Sequence, residues 1–345
     1  MRDAMLTRRE FLRLGALAGL GLSLGPVLLP DAVQAAAPER LRIERTRFLM
    51  GTFVTMTAAH PSQAQAEDAI AAAFAEMDRL CAIFDRHRAD TPVSFLNQHG
   101  TLRDAPPELP AVLEQALRMR ETTSGAFDPS VLPLVVLLQD CARRAPAGAA
   151  PTLAEVHEAL QLVDAGAVEL TSGSIRLGRQ GMGLTLDGVA KGYIVDRASQ
   201  VLRERGVETH LINAGGDIRA SMSKDVTRPW TVAVEDPQLR GRYPSRLFLR
   251  NGAVATSGSY EAPLGEHGRL HHIVDPRTGG CPGLVTSVSV TAPTAMEADA
   301  LATGLFVLPP GQALVCMNAL PGRACLLISS SGAQARSQGW AGLEA

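Results

Sequence analysis

The sequence predicts an α+β fold in which antiparallel sheets are flanked by helices. Helical patterns dominate residues 63–205, whereas short strand patterns separated by turns dominate residues 209–328. Strands outnumber the helices that could connect parallel neighbours, so antiparallel sheet is favoured over a doubly wound parallel sheet. The 345-residue chain is 46% hydrophobic, which supports one sizeable core. Aromatic residues contribute only 4%, so Ala, Leu and Val must fill that core.

The first 35 residues have the pattern of a twin-arginine signal peptide. Arg8 and Arg9 precede a Gly-rich apolar run over residues 14–29, and residues 33–35 offer a small-residue cleavage site. The run is shorter than the roughly 20 apolar residues of a membrane-spanning helix, which argues against the alternative of an N-terminal anchor. We therefore expect residues 36–345 to form a single periplasmic domain that does not span the membrane once processed.

Charge and cysteine content exclude several classes of function. The whole chain has a net charge of −2, and loss of the signal segment would leave −3. Such a chain has no basic field for nucleic acid or anionic lipid, so we expect no nucleic-acid partner. The five cysteines are odd in number and lack metal-binding spacing. An oxidising compartment would permit Cys316 and Cys325 to pair, but small buried hydrophobic roles are favoured.

One strand and four helices are predicted in the first part of the fold. Residues 48–57 alternate apolar and small polar side chains, as a half-buried strand does. Helical patterns with recognisable ends predict helices at residues 63–84, 107–123, 151–163 and 188–205. Asp187 stands where it could cap the last of these helices, and Gly206 ends that helix.

The later part of the chain is rich in strands. Short apolar or alternating runs predict them at residues 209–214, 230–234, 247–250, 253–256, 271–276, 287–290 and 325–328. Asn251-Gly252 lies between two of these runs, and this dipeptide predicts a hairpin with a type I′ turn.

A helix predicted at residues 294–308 carries the strongest candidate site. Thr294 and Glu297 have the spacing of a capping box, and most other side chains are apolar, so the helix should be buried. Asp299 and Thr303 are four residues apart and share one face. Two oxygen ligands one turn apart suit a hard cation such as Mg²⁺ beside phosphate oxygens. The alternative is a local Thr–Asp hydrogen bond, with Asp299 paired to an arginine.

Two further segments carry candidate chemistry. Lys191 falls in the first turn of a predicted helix, where a lysine and backbone N–H groups suit a phosphate; the alternative is a solvated surface lysine. His271 and His272 are adjacent on a predicted strand, so they should face opposite ways. Either histidine could serve as a general base near neutral pH, although a structural histidine is the more frequent outcome.

Taken together, eight segments resemble the ApbE family, the FAD:protein FMN transferases. They occur in the family's order across roughly residues 46–310. The matching segments are residues 50–52, 84–97, 125–129, 187–193, 213–217, 255–260, 272–279 and 297–303. Each motif is weak alone, but eight in one order identify the resemblance.

The resemblance implies an activity and a set of site residues. The protein should bind FAD with Mg²⁺ at the pyrophosphate and move FMN onto a Thr or Ser hydroxyl of a target flavoprotein, releasing AMP. Catalytic roles fall to Asp299 and His272, the latter as base. The implied metal ligands are the side chains of Asp299 and Thr303 with backbone oxygens near Gly188 and Ala302. The residues implied to line the FAD site are Met50, Phe84, Ala126, Phe127, Asp128, Thr185, Lys191, His272 and Ile273.

The chain departs from the family pattern at two of these positions. Thr185 stands where many members have Asp, so one contact with FAD should differ. Phe84 stands where they have Tyr, so it can stack but cannot form the hydrogen bond of a tyrosine hydroxyl. The motif at residues 184–193 and the twin-arginine signal look closest to the NosX-type branch, which implies a membrane regulator of nitrous-oxide respiration as the target. Two rival functions share the site: an FAD pyrophosphatase, with water as acceptor, and a non-enzymatic flavin carrier, which would not need Asp299 and Thr303.

Overall fold

The central feature of the fold is an eight-stranded antiparallel sheet. In spatial order its strands are β1 (Leu41–Leu49), β2 (Thr52–His60), β6 (His210–Ala214), β7 (Asp217–Ser221), β10 (Gly252–Gly258), β13 (Val285–Ala292), β14 (Ala324–Ser329) and β15 (Gln334–Arg336). The computed structural model describes residues 40–144, 150–171, 173–239, 241–260, 263–264 and 270–344. The predicted signal peptide at residues 1–35 therefore lies outside the described residues. The expected α+β class with antiparallel sheet is confirmed.

Helices pack against one face of this sheet. The helices of the described chain are α1 (Gln63–Phe84), α2 (Pro92–His99), α3 (Glu108–Thr122), α4 (Leu132–Arg144), α5 (Leu153–Leu160), α6 (Ala190–Glu204), α7 (Ala295–Val307) and α8 (Pro310–Asn318). Neighbouring helices α1, α6 and α7 lie directly on the sheet and bury its main core. No helix within these described segments combines the length and apolar character needed to cross a membrane.

Short strands form three smaller sheets among the described residues. β3 (Thr101–Arg103), β4 (Val168–Thr171) and β5 (Ser174–Leu177) form one sheet in the order β3-β5-β4. β8 (Trp230–Val234) pairs with β9 (Ser245–Leu249), and β11 (Pro263–Leu264) pairs with β12 (Leu270–His271).

The β8–β9 ribbon covers the second face of the central sheet. Its apolar side chains pack on β7, β10 and β14 around Trp340, which is fully buried and donates its indole N–H to Ser245 Oγ at 3.0 Å. The middle strands are therefore buried on both faces. This explains why β14 is continuously apolar instead of alternating.

The strand predicted over residues 48–57 is two strands joined by a tight turn. β1 ends at Leu49 and β2 begins at Thr52, with Met50 at φ 55° and Gly51 at φ 71° between them. The single-strand prediction was wrong because the alternating pattern continues through the turn. A methionine in the left-handed region gives no turn signal.

The hairpin predicted around Asn251-Gly252 is also wrong. β9 pairs with β8, whereas β10 pairs with β7 and β13, so the two strands belong to different sheets. Their burial shows why: alternate residues of β9 are exposed, while β10 is almost entirely buried. In the central sheet β10 lies between β7 and β13, so neither of its edges is open to β9.

The helix predicted to follow Asp187 begins at Ala190. Asp187 does not cap it, because its carboxylate accepts a hydrogen bond from Arg86 Nε at 2.7 Å, and the N-cap residue Val189 supplies no side-chain bond. The predicted strand at residues 271–276 shortens to β12, which ends at His271.

The five cysteines are all free thiols.

Candidate active site

A cavity beside α6, α7 and β10 brings most of the predicted site residues together. It encloses about 800 Å³ of space, part of which is open to solvent. Ten predicted residues line it: Ala126, Phe127, Asp128, Thr185, Gly188, Lys191, His272, Ile273, Asp299 and Thr303.

Asp299 lies in the middle of α7 and is only 5% exposed. Two side chains accept hydrogen bonds from the first turn of this helix. Thr294 Oγ1 accepts a first-turn N–H at 3.2 Å, and the Asp196 carboxylate of α6 accepts the N–H groups of Ala295 and Met296, each at 2.9 Å. These bonds satisfy donors that a helix start leaves without intrahelical partners. They also fix where Asp299 stands, one turn further along.

The crossing of α6 over α7 brings a backbone donor to Asp299. Gly192 packs so closely that an added Cβ would lie 2.3 Å from the carbonyl oxygen of Ala295. At this contact the Gly192 N–H donates to Asp299 Oδ2 at 3.1 Å. A glycine at this position therefore allows the close approach that orients the buried carboxylate.

Thr303 lies one turn beyond Asp299 and is surrounded by oxygen-bearing groups. Its Oγ1 is 3.3 Å from Ser257 Oγ on β10. A Cβ added to Gly188 would lie 2.8 Å from the same Thr303 oxygen, so the backbone at Gly188 passes directly beside it. The loop before α6 and one face of α7 thus meet at the position where the family resemblance implied a metal bound by both segments.

These groups fit a hard divalent cation such as Mg²⁺. Carboxylate, hydroxyl and backbone oxygens are the ligands that such ions prefer. No group of three or more His, Cys, Asp or Glu side chains able to hold a metal occurs in the part of the chain described. The predicted ligand set is of another kind, because Asp299 is its only carboxylate.

Lys191 contributes positive charge to the cavity wall. Its Nζ is 3.1 Å from Asp217 Oδ2, and the lysine side chain is 26% exposed. Lys191 is therefore mostly buried rather than a solvated surface residue. Asp217, the first residue of β7, is 1% exposed.

The two adjacent histidines have different surroundings, as predicted, although β12 ends at His271 and His272 lies beyond the strand. His272 lines the cavity. His271 is buried, its Nε2 is 3.0 Å from the carbonyl oxygen of Pro282, and its ring meets Phe306 edge to face. Burial lowers the pKa of His271, and its contacts with Pro282 and Phe306 give it a structural role.

The turn after α3 is fixed by Asp128. Its Oδ1 accepts both the backbone N–H and the hydroxyl of Ser130, at 2.8 and 2.6 Å, and its Oδ2 accepts from Arg120 Nε at 2.7 Å. The Thr185 N–H donates to Pro129 O at 2.8 Å, which joins this turn to the strand-like segment before α6. The Asp128 carboxylate thus stabilises the turn that forms this part of the cavity wall.

Three predicted site residues are not among those lining the cavity. Met50 lies in the β1–β2 turn, Phe84 is buried with its ring edge to face against Tyr193, and Ala302 is fully buried on α7. Contacts of Met50 and Phe84 with FAD, and a metal bond from the Ala302 backbone, stay predictions.

Several lining residues were not predicted individually. Arg86 and Asp187 form an ion pair in the wall, and the other additions are Val131, Val135, Thr256, Ser257, Val274 and Pro276. Some of them fall inside the motif segments at residues 84–97, 187–193, 255–260 and 272–279, so those segments carried a signal for them. Val131 and Val135 carried none, because helix α4 itself was not predicted.

Comparisons with known proteins agree with this fold. Residues 50–327 match the model of the ApbE family. The FAD:protein FMN transferase of Treponema pallidum is 30% identical over 308 residues, which cover 82% of this chain and 83% of that protein. The FAD:protein FMN transferase of Haemophilus influenzae is 31% identical, covering 66% and 69% respectively.

Solved structures show the same architecture. The ApbE protein from Thermotoga maritima matches with a TM-score of 0.79 at 30% identity, covering 88% of this chain and all of that one. The flavin transferase ApbE from Vibrio cholerae matches with a TM-score of 0.74, covering 88% of this chain and 99% of that chain; at 23% identity it supports the fold alone.

The fold and the relatives define an enzyme of the flavin-transferase class. The chain belongs to the ApbE family. The family, fold and enzyme class predicted from the sequence are thereby confirmed.

Proposed function

We propose that this protein is a Mg²⁺-dependent transferase that moves FMN from FAD onto a Thr or Ser hydroxyl of a target flavoprotein and releases AMP. The observation that carries the proposal is the convergence of Asp299, Lys191 and His272 on one cavity of an ApbE-family chain. A buried acid, a cation and a histidine are the groups that phosphoryl transfer needs for charge neutralisation and proton removal.

The cavity has surfaces suited to both halves of this chemistry. Asp299, Thr303 and Lys191 make one part polar and charged, while Val131, Val135, Val274 and Pro276 make another part apolar. Polar groups would hold the pyrophosphate, and the apolar wall would exclude water from a flat aromatic ring.

The chain's own residues would hold the metal and the phosphates. Mg²⁺ bound at Asp299, Thr303 and the backbone near Gly188 and Ala302 would neutralise negative charge on the pyrophosphate oxygens. The Gly192 N–H keeps the Asp299 carboxylate in one orientation. Lys191, which lines the same cavity, would supply a further positive charge.

His272 would act as the general base. The acceptor hydroxyl oxygen forms a bond to the FMN phosphorus while the bond from that phosphorus to the AMP oxygen breaks. The hydroxyl proton passes to the His272 imidazole. His271 cannot take this role, because it is buried against Phe306 and hydrogen-bonded to Pro282.

Cellular location and target are further parts of the proposal. The Arg8-Arg9 segment supports export to the periplasm by the twin-arginine pathway. The NosX-type form of residues 184–193 supports a membrane regulator of nitrous-oxide respiration as the first acceptor to test.

Product analysis tests the activity against its rivals. The protein is incubated with FAD and Mg²⁺, with and without an acceptor flavoprotein, and the nucleotides are separated. With acceptor present, we expect the amount of AMP released to equal the amount of acceptor that carries FMN. Without acceptor, we expect little free FMN. Equal release of free FMN without acceptor would indicate a pyrophosphatase, and intact FAD in both samples would indicate a carrier.

A further inference from the structure

Asp217 is a deeply buried acid beside the cavity. It is 1% exposed, and its Oδ2 lies 3.1 Å from Nζ of Lys191, which lines the cavity. Asp217 thus stands behind a cavity cation and does not line the cavity itself.

The local chain holds Asp217 firmly in this place. It follows the Gly215-Gly216 turn between β6 and β7, where both glycines have positive φ. The N–H of Gly216 donates to Asn213 Oδ1 at 2.9 Å, and Gly215 packs against Thr52 so closely that a Cβ would lie 2.4 Å from its hydroxyl oxygen. Because the turn is fixed in this way, the position of the Asp217 carboxylate is fixed as well.

The burial of Asp217 is unfavourable for a purely structural ion pair. Burial raises the pKa of the Asp217 carboxyl, and the Lys191 ammonium opposes that shift. Buried pairs contribute little net stability compared with apolar residues of similar size. Perturbed buried acids beside a cleft are instead frequent at functional sites.

We propose that Asp217 is a positioning residue that fixes the Lys191 ammonium against the phosphate groups of the bound dinucleotide. This inference rests on the proposed function. Lysine is a point charge on a flexible four-carbon stem, so an anchor determines where its charge lies. An ammonium carries three donors, so a lysine that forms an ion pair with Asp217 can still donate to a phosphate oxygen.

A double-mutant cycle on FAD affinity tests the proposal. The variants are Lys191→Met, Asp217→Asn and their combination, and affinity is measured by flavin fluorescence with Mg²⁺ and without acceptor. Each single change should weaken binding by roughly tenfold to a hundredfold, as the loss of a charge-assisted bond does. The double variant should bind no more weakly than Lys191→Met. Losses that multiply in the double variant would overturn the proposal.

Two further comparisons keep the result decisive. Asp68→Asn removes the acid of an exposed ion pair with Arg205 and should leave FAD affinity unchanged. Where Asp217→Asn alone lowers the melting temperature too far, Lys191→Met and the double variant decide the question, because the proposal requires the double variant to bind FAD no more weakly than Lys191→Met. A wild-type protein that binds FAD but transfers no FMN would contradict the proposed function, and the cycle would still report the Lys191–Asp217 coupling.

Discussion

Asp299 is the residue whose chemistry is tested most simply. Asp299→Asn keeps an oxygen that can accept the Gly192 N–H but removes the charge a divalent cation requires. We expect FMN transfer to fall by about 10²-fold or more while the fold is retained. Asp299→Ala should abolish transfer, and the lost acceptor should also cost about 1–3 kcal/mol of stability. Thr303→Ala should reduce transfer less, because a neutral hydroxyl contributes less than a carboxylate.

The control for Asp299 is a buried acid away from the cavity. Asp236 is buried in the loop after β8, where its Oδ1 accepts the N–H of Gln238 at 2.9 Å. Asp236→Asn should therefore keep the wild-type rate in the same transfer assay. Full activity in Asp299→Asn, or equal loss in both variants, would show that Asp299 is not a metal ligand.

The adjacent histidines provide a second test at this scale. His272→Ala should slow transfer by roughly 10²–10⁴-fold, as loss of a general base does, while FAD still binds. His271→Ala should instead lower the melting temperature, because it removes a buried ring packed on Phe306, and should change the rate little. Single-turnover transfer and thermal unfolding of both variants measure the difference. A His272→Ala protein with wild-type rate would require another base.

The residues that the sequence could reveal are those linked by local geometry. Asp299 and Thr303 share a face because helix spacing places them there. The two histidines do have different surroundings, but strand alternation is not the full reason, because β12 ends at His271. Ser257 and Arg86 meet the site only through contacts between distant segments. Helical or strand periodicity gives no such long-range information, so only the motif resemblance pointed to their segments.

At the scale of elements, the close crossing of α6 and α7 is the feature that holds the site. Gly192→Ala would place a methyl group 2.3 Å from a backbone oxygen of α7, and the helices would have to separate. We expect a loss of about 1–3 kcal/mol in unfolding free energy, the usual cost of overpacking. The Gly192 N–H would also move from Asp299, so Mg²⁺-dependent transfer should fall.

The matched control for this crossing is Gly311 in α8. A Cβ added there meets nothing within 4 Å. Gly311→Ala should be neutral or slightly stabilising, since alanine is the better helix residue. Chemical denaturation of both variants measures the comparison, and equal stability would contradict a tight α6–α7 contact.

Elements with strong local signals were predicted well from the sequence. The long α1 helix and the Thr294-capped α7 helix have clear periodicity or caps, and both form close to the predicted bounds. Strand partners were harder, because Asn251-Gly252 has the local chemistry of a hairpin while β9 and β10 pair with different strands. Pairing depends on which face each strand buries in the finished core.

At the scale of the whole molecule, export is predicted by the N-terminal arginines. Replacing Arg8 and Arg9 by Lys should retain the precursor in the cytoplasm, because the twin-arginine pathway recognises that pair. Fractionation and immunoblotting measure the periplasmic share. An unchanged periplasmic level would contradict this route.

Transfer of FMN to another protein is tested most directly by the intact mass of that protein. A candidate acceptor, with its hydroxyl residue replaced in a matched sample, is incubated with FAD, Mg²⁺ and the enzyme. We predict that the mass of the acceptor increases by one FMN moiety, attached through its phosphate. We predict no increase for the hydroxyl variant and none with the Asp299→Asn enzyme. An acceptor whose mass stays unchanged while FAD is consumed would contradict FMN transfer as the function.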